Sequence, residues 1–274
     1  MRPRLQQRIQ RYGWDGAAEC YEALWGAQLA PLRAQVLAQL AARAGERVLD
    51  LACGSGELSL AVALALGPHG RLLGVDVSGE MVRIARARAA REQVAQARFE
   101  RMDAGELPLR DCSQDAALCA LGLMYVGDPA GTLRGLRRVL RPGGRATLAV
   151  WGARARCGWA GIFPIVQRQV ASEVCPLFFA LGTGGALAQL CAACGFEAVR
   201  EARLSTVLEY PDAASAAGAA LAGGPVALAW RRFDARTRGQ VTAEYLETLA
   251  PYRCDGGFRV PAEFVIVSAR VPGY

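Results

Sequence analysis

The chain has 274 residues, of which 53% are hydrophobic, and its 32 basic and 25 acidic residues give a net charge of +7. This length and composition suffice to bury one sizeable core and favour one elaborated domain over two. The sequence contains no lysine, so every basic residue is arginine, as expected for a GC-rich genome. The charge is modest and spread along the chain, which makes a nucleic-acid partner unlikely.

Cysteine usage and hydropathy indicate the compartment. Nine cysteines are scattered without a repeating spacing. Cys191 and Cys194 form a C-x-x-C pair that lacks the second pair or nearby histidine of a zinc site, so no metal is predicted. The polar N-terminus does not resemble a secretory signal, and no run reaches the roughly 20 apolar residues of a spanning helix. We expect a cytoplasmic protein with no membrane span.

The N-terminal residues 12–44 carry apolar side chains at helical spacing. Pro31 is expected to open a second helix over 32–44 that ends before Gly45. Tyr21 and Trp25 are four residues apart and would share one helix face. That face could pack on the core or cover a bound ligand.

Residues 47–60 read RVLDLACGSGELSL and organise the rest of the chain. The apolar run 48–51 predicts a buried strand, and residues 58–66 predict a helix. Between them, Gly54-Ser55-Gly56 forms a turn that lets a ligand approach the backbone. A strand, a Gly-x-Gly turn and a helix make the first half of a nucleotide-type site in an open α/β sheet.

Asp50 indicates which nucleotide is bound. A dinucleotide would place its pyrophosphate near this carboxylate, and like charges at short range are costly. Ser59 also replaces the third glycine of the dinucleotide motif G-x-G-x-x-G. A ligand with a cationic centre and no phosphate fits better. S-adenosylmethionine has a sulfonium, an ammonium and an adenosine.

Two later acids follow predicted strands in the same way. Asp76 ends a strand over 71–77, about twenty residues past the last glycine, where an acid binds ribose hydroxyls. Ser78 is a plausible N-cap for the next helix, in whose first turn Met81 could lie against an adenine face. Asp103 follows the third strand and can accept a hydrogen bond from the adenine amino group.

The remaining chain continues the alternation of strands and helices. Residues 152–182 show weak periodicity and many aromatic side chains, which predicts an inserted lid of short helices and loops on the substrate side. The other predicted elements are strands at 98–101, 116–120, 145–151, 196–210 and 264–270, helices at 80–91, 132–140 and 184–194, and a mostly helical region at 211–255.

The sequence resembles class I S-adenosylmethionine-dependent methyltransferases, and it is most similar to the group related to ubiquinone/menaquinone-biosynthesis methyltransferases. Besides the run that ends at Gly56, the resemblance rests on the acids Asp76 and Asp103. It extends through Gly122-Leu123-Met124-Tyr125, Leu140-Arg141-Pro142-Gly143-Gly144-Arg145 and Ala193-Cys194-Gly195-Phe196.

The resemblance implies a Rossmann-like fold with helices on both faces of a seven-stranded, mostly parallel sheet. The strand order would be 3-2-1-4-5-7-6, with the last strand antiparallel. The chain would form one domain over 1–274. Its parts would be a helical cap (1–45), a cofactor-binding core (46–151), the lid (152–182) and a C-terminal part (183–274) with a helical insertion (211–255).

The resemblance also implies the residues that bind S-adenosylmethionine. Asp50 and the Gly54–Gly56 backbone would hold the methionine part, Asp76 the ribose, and Asp103 with the Ala104 amide the adenine edge. The backbone at Cys119 would meet the methionine ammonium, and Tyr21 would close over the cofactor. The full predicted set is Tyr21, Asp50, Ala52, Gly54, Ser55, Gly56, Asp76, Val77, Met81, Asp103, Ala104 and Cys119.

The methyl acceptor is predicted to be a small, planar, aromatic or quinone-like molecule that is methylated on oxygen or carbon, because the lid is rich in aromatic residues. Its predicted contacts are Trp25, Met124, Tyr125, Trp151, Trp159 and Phe163. Tyr125, Asp128 and Glu173 are candidate bases, whereas His69 lies in a loop on the far edge and is not one.

Two alternatives stay open. An RNA-modifying methyltransferase is disfavoured, because amino-methylating enzymes of that kind usually carry an [Asp/Asn/Ser]-Pro-Pro-aromatic motif where this chain reads Ala120-Leu121-Gly122-Leu123. A non-catalytic S-adenosylmethionine-binding protein is the other alternative. The sequence does not indicate the oligomeric state.

Overall fold

A computed structural model describes residues 3–170 and 178–273, with side chains from residue 8 onward. Glu173, one of the candidate bases, lies outside the described residues, as does part of the predicted lid. No helix in the described part of the chain is both long and apolar enough to cross a membrane.

One mixed sheet forms the centre of the molecule. Its strands are β1 (Arg47–Leu51), β2 (Arg71–Asp76), β3 (Ala97–Arg101), β4 (Gln114–Ala120), β5 (Leu140–Trp151), β6 (Glu197–Tyr210), β7 (Arg253–Cys254) and β8 (Gly257–Arg270). The order is β3-β2-β1-β4-β5-β8-β6, and the two-residue β7 pairs with β8. Strands β1 to β5 are parallel, and β8 is antiparallel to β5 and β6. The seven long strands confirm the predicted order, and β7 is an addition.

Helices cover the sheet. They are α1 (Pro3–Leu40), α2 (Glu57–Leu66), α3 (Gly79–Arg91), α4 (Pro129–Val139), α5 (Ile162–Val170), α6 (Ala186–Ala193), α7 (Ala213–Leu221), α8 (Ala227–Arg232) and α9 (Ala235–Thr248). Ser78 caps α3 as predicted, since its hydroxyl accepts a hydrogen bond from the Met81 amide at 3.1 Å. Val48, Leu49 and Leu118 in the central strands are fully buried, as parallel strands between helices require.

The prediction of two N-terminal helices is wrong, because α1 continues through Pro31. A proline inside a helix removes one backbone hydrogen bond and costs about 3 kcal/mol. The Arg33 guanidinium donates to the Gly26 carbonyl at 3.2 Å and so binds a backbone oxygen near the interruption. Apolar packing continues past the proline, through the buried residues Trp25, Leu29, Leu32, Val36 and Leu40. Tertiary packing therefore outweighs the local signal for a helix end.

Arg145 fixes the C-terminal end of α1 to the sheet. Its guanidinium donates to the carbonyls of Leu40 at 2.6 Å and Ala41 at 2.9 Å. It also donates to both carboxylate oxygens of Glu46, at 2.8 and 2.6 Å. The carbonyls that a helix leaves without partners at its end are thus bound by a charged group from β5.

Candidate functional site

A cavity of about 420 Å³ lies at the carboxyl ends of the parallel strands, under the N-terminal half of α1. This is the edge at which open α/β sheets bind ligands. The volume falls within the range of roughly 300–1,000 Å³ that is common for small-molecule sites. The position and size of the cavity favour one nucleoside-sized ligand.

Two residues of the cavity wall hold a left-handed backbone without being glycine. Ala52 follows β1 with φ 58°, and Leu121 follows β4 with φ 61°. This conformation costs an L-residue about 1–2 kcal/mol. The strained turns are held by hydrogen bonds from Cys53 N to Val75 O at 3.0 Å and from Leu121 N to Ala149 O at 2.8 Å. Such strain concentrates at functional sites, and neither residue type predicts it.

The two glycines of the turn have different roles. Gly54 lines the cavity with φ 54°, and a Cβ there would meet no atom within 4 Å. Its bare backbone therefore faces the space that a ligand would fill. Gly56 has φ 82°, and a Cβ there would lie 2.9 Å from the Ala85 Cβ. Gly56 thus permits the close packing of α3 and does not line the cavity.

Asp76 lines the cavity at the end of β2 and is only 7% exposed. Its Oδ2 accepts a hydrogen bond from Gly54 N at 2.9 Å, and its Oδ1 accepts one from Ser78 N at 2.8 Å. Burial raises the pKa of the carboxyl group to about 6, and these hydrogen bonds limit the rise. The carboxylate is therefore oriented before any ligand binds.

Asp50 lies behind the glycine turn and does not line the cavity. It is 2% exposed, and its Oδ2 accepts a hydrogen bond from the Ser59 hydroxyl at 2.5 Å. Burial raises its pKa to about 7. Within the part of the chain that the structure describes, neither Asp50 nor Asp76 forms an ion pair. Two buried carboxylates without an internal cation favour a positively charged ligand.

The predicted cofactor residues fall into two groups. Those that line the cavity are Tyr21, Ala52, Gly54, Asp76, Val77, Met81, Asp103 and Ala104. Those that lie behind its wall are Asp50, Ser55, Gly56 and Cys119. The Ser55 hydroxyl donates to Glu22, and burial raises the pKa of the Cys119 thiol to about 12. Cofactor contacts of both groups stay predictions.

Helix α1 covers the cavity and is fastened beside it. Asp15 accepts a hydrogen bond from the Ser78 hydroxyl at 2.7 Å and one from the Glu80 amide at 3.3 Å. Glu22 accepts from the Ser55 hydroxyl at 2.8 Å. These contacts join the cover to the loops that follow both β1 and β2.

Sequence reasoning missed Gln10 and Trp14, which line the cavity from α1 together with the predicted Tyr21. The spacing 10, 14 and 21 places all three on one helix face, and this pattern could have identified them. Trp14 makes edge-to-face contacts with Tyr21 at 5.7 Å and with Tyr125 at 5.3 Å between ring centroids. The cover and the β4 loop therefore meet through aromatic rings.

Most residues predicted to contact the acceptor do not line the cavity. Tyr125 does, whereas Met124 is buried behind it. The other predicted residues belong to what we call the aromatic cluster, formed by Trp25, Trp151, Trp159, Phe163, Phe178 and Phe179. Trp159 lies at its centre, 4.9 Å from Trp151 and 5.7 Å from Trp25 between ring centroids. The sequence shows that these rings are apolar, and burial in a core satisfies that as well as a ligand would.

The candidate bases are distributed unevenly. Asp128 and Tyr125 line the cavity, and the Asp128 carboxylate also accepts from Gly131 N at 2.8 Å as the N-cap of α4. His69 is exposed in the loop before β2, as expected. Among the residues described, no group of His, Cys, Asp or Glu side chains could hold a metal ion.

Solved structures with the same architecture define the class of fold. The YcgJ protein of Bacillus subtilis superposes with a TM-score of 0.60 at 19% identity, over 88% of this chain and 98% of that one. Phosphoethanolamine N-methyltransferase 2 of Haemonchus contortus, solved in complex with S-adenosyl-L-methionine, superposes with a TM-score of 0.62 at 17% identity, over 94% of this chain and 57% of that one. The [4+2]-cyclase SpnF superposes with a TM-score of 0.57 at 21% identity, over 89% of this chain and 81% of that one. The chain therefore has the Rossmann-like fold of these structures.

The sequence comparisons are more specific. Residues 42–174 match the family model of a methyltransferase domain. The chain is 43% identical over 111 residues to 2-phytyl-1,4-naphtoquinone methyltransferase of Synechococcus elongatus, which is 39% of this chain and 47% of that protein. It is also 34% identical over 112 residues to demethylmenaquinone methyltransferase of Staphylococcus aureus, and these residues are 41% of this chain and 46% of that protein. The match thus spans about half the length of these relatives.

Proposed function

We propose that this protein transfers a methyl group from S-adenosylmethionine to an oxygen or carbon of a small, planar, quinone-like aromatic molecule. The observation that carries the proposal is the pair of buried carboxylates, Asp50 and Asp76, beside a cavity, neither of which forms an ion pair within the described part of the chain. The two named relatives above act on naphthoquinone-type molecules according to their names, which supports the acceptor class. The scattered cysteines support a cytoplasmic location.

The residues present fit this cofactor. Gly54 offers bare backbone to the ligand, and Asp76 offers a carboxylate that suits a vicinal diol. Asp103 and Ala104 line the same cavity where an adenine edge would bind, next to Met81. When bound, S-adenosylmethionine supplies an electrophilic methyl group on a sulfonium. The negative charge of Asp50 and Asp76 favours that cation over a phosphate-bearing ligand.

The catalytic contribution of the chain is mainly orientation. Holding an acceptor in line with the methyl group can supply up to about 7–11 kcal/mol without any covalent intermediate. Helix α1 covers the cavity with Trp14 and Tyr21 and so limits the access of water to it. Tyr125 and Asp128 line the cavity and are the candidate groups to accept the proton that a hydroxyl acceptor loses, and a readily ionised quinol would need little such help.

Product analysis tests the proposal. The purified protein is incubated with S-adenosylmethionine and chemically reduced 1,4-naphthoquinol, and S-adenosylhomocysteine and methylated naphthol are measured by mass spectrometry. We expect both products in equal amounts, and we expect S-adenosylmethionine but not NADH to raise the melting temperature. Stabilisation by NADH alone would contradict the cofactor assignment.

The fold alone does not decide the reaction, since one structural neighbour is a cyclase. Binding of S-adenosylmethionine without S-adenosylhomocysteine release, across a panel of phenols and quinols, would therefore indicate a non-catalytic binding protein. A salt-dependent mobility shift with bulk tRNA would favour the RNA-modifying alternative.

A further inference from the structure

The aromatic cluster extends from the cavity wall into the core. Tyr125 lines the cavity, and its ring centroid lies 5.4 Å from that of Phe178. The Phe178 ring lies 5.7 Å from the Trp159 ring, almost perpendicular to it at 84°. A continuous path of rings thus leads from the cavity to Trp159 through a single intervening side chain.

This path begins at the methionine end of the proposed cofactor site. Tyr125 ends the short turn that starts after Gly122, and a Cβ at Gly122 would lie 2.4 Å from the Ala52 Cβ. Ala52 follows the strand that carries Asp50. An acceptor that approaches a methyl group held there meets Tyr125 first and Phe178 behind it.

Trp159 carries an unusual buried donor. Its side chain is 1% exposed, and its Nε1–H has no hydrogen-bond partner among the described residues, the one buried side-chain nitrogen or oxygen of which this is true. A buried donor without a partner costs stability, because its hydrogen bond to water is not replaced. Nearby Trp25, in the same cluster, donates its Nε1–H to the Ala219 carbonyl at 3.0 Å. An apolar environment therefore does not by itself explain the unpaired donor.

We propose that Trp159 Nε1–H binds a ring oxygen of the methyl acceptor, and that the Phe178 ring, which packs 5.4 Å from Tyr125 and 5.7 Å from Trp159, turns aside to admit the acceptor. The ligand class is a planar aromatic molecule with a hydroxyl or carbonyl oxygen on the ring. The surrounding rings supply edge and face contacts to such a molecule, and the indole N–H selects for the oxygen. This inference rests on the proposed function, since it concerns the acceptor of that reaction.

Indole NMR tests the contact directly. The five tryptophans give five indole ¹⁵N–¹H resonances, and the one missing from Trp159→Phe identifies Trp159. With S-adenosylhomocysteine present, 1,4-naphthoquinol should move this resonance downfield, and naphthalene at the same concentration should not. An unmoved Trp159 resonance at the solubility limit of the quinol would overturn the proposal.

Matched tryptophan variants separate this role from packing. Both variants leave a cavity in the aromatic cluster, but Trp25→Phe also leaves the Ala219 carbonyl without its donor, so it should lower the melting temperature more than Trp159→Phe does. Trp159→Phe should lower kcat/KM for the quinol at least tenfold with Kd for S-adenosylmethionine within twofold of wild type. Trp230→Phe, whose ring contacts Arg238, is the control for turnover.

Two results would overturn the inference: wild-type turnover by Trp159→Phe, or a loss of melting temperature equal to that of Trp25→Phe. Failure of the proposed function gives a different pattern. In that case the wild-type protein releases no S-adenosylhomocysteine with any acceptor, while the Trp159 resonance still reports whether the quinol binds.

Discussion

The Asp50 carboxylate accepts a hydrogen bond of 2.5 Å from the Ser59 hydroxyl, and both side chains are buried. Ser59 occupies the position at which the dinucleotide-binding motif has its third glycine. The hydroxyl therefore does more than fill space, because it stabilises the ionised form of an acid that burial makes hard to ionise. Asp76 on the neighbouring strand adds like charge and raises the pKa of Asp50 further.

Cofactor affinity should depend on pH through these two acids. Burial raises the pKa of Asp50 to about 7 and that of Asp76 to about 6, above the value of about 3.9 in an unfolded chain. The folded protein therefore holds more protons than the unfolded chain, and stability without ligand falls as pH rises through these values. A cationic ligand favours the ionised acids, so affinity for S-adenosylmethionine should rise between about pH 5.5 and 8.

Calorimetry across this pH range, in parallel with denaturation of the ligand-free protein, measures both trends. Asp50→Asn should remove the pH dependence that Asp50 contributes to both quantities. The variant should be more stable than the wild-type protein at high pH and should bind S-adenosylmethionine less tightly. Equal affinities at both ends of the range would show that neither acid changes its protonation on binding.

Asp76→Asn should weaken cofactor binding about 10- to 100-fold, since charge-assisted hydrogen bonds contribute roughly 1.5–3 kcal/mol. The amide keeps the volume of the carboxyl group but has a single acceptor oxygen, so it retains only one of the two hydrogen bonds from Gly54 N and Ser78 N while the charge is lost. Isothermal titration with S-adenosylmethionine measures the effect. Asp111→Asn is the control, because Asp111 is exposed and pairs with Arg138. An unchanged affinity in Asp76→Asn would remove the ribose assignment.

Asp15→Ala should loosen the cover. The variant removes the hydrogen bonds that join α1 to Ser78 and Glu80. We expect a three- to tenfold increase in Kd for the cofactor, from about 1 kcal/mol of lost hydrogen bonding, and faster trypsin cleavage after Arg8 and Arg11. Asp15 also raises the pKa of Asp76, so the pH midpoint of binding should move downward in the variant. Glu19→Ala, on the exposed face of α1, should change neither cleavage nor affinity.

Pro31→Ala should stabilise the protein by about 1–2 kcal/mol. Alanine restores the backbone hydrogen bond inside α1, and the lost stiffness of the unfolded chain offsets part of the gain. Chemical denaturation measures the difference. Pro129→Ala is the matched control, because Pro129 stands in the first turn of α4, where proline is favourable, and its loss should be neutral or destabilising. A destabilised Pro31→Ala would show that α1 needs proline at this position.

The sequence predicts the strand ends well and the packing of aromatic residues poorly. The positions of Asp50, Asp76 and Asp103 were predictable because each lies at or just after the end of a strand, and the carboxyl ends of parallel strands meet at one edge. Whether an acid lies on the cavity wall or behind it depends on the course of the turn after β1, which is set by the left-handed backbone of Ala52. That conformation leaves no mark on residue type when glycine is absent.

The helical cover illustrates a different limit. The face of α1 that meets the cavity is readable from its spacing, but the continuity of the helix through Pro31 is not, because contacts distant in sequence decide it. For Trp159 and its neighbours the composition indicates only burial. A ring that packs in a core and a ring that binds a planar ligand share the same chemistry, so one unpaired nitrogen distinguishes them better than any pattern does.

Helix α1 spans 38 residues, or about 57 Å at 1.5 Å per residue, from above the cavity to the C-terminal end held by Arg145. Midway, the Gln28 side chain binds both backbone groups of Glu209 on β6. A ligand under Trp14 therefore contacts one end of a continuous helix whose other end is bound to β5 through Arg145. Ligand binding should accordingly slow amide hydrogen exchange as far along the helix as Val36, about 33 Å from Trp14. Exchange at the distant end of α1 then reports whether the cavity is occupied, although the ligand does not contact that end.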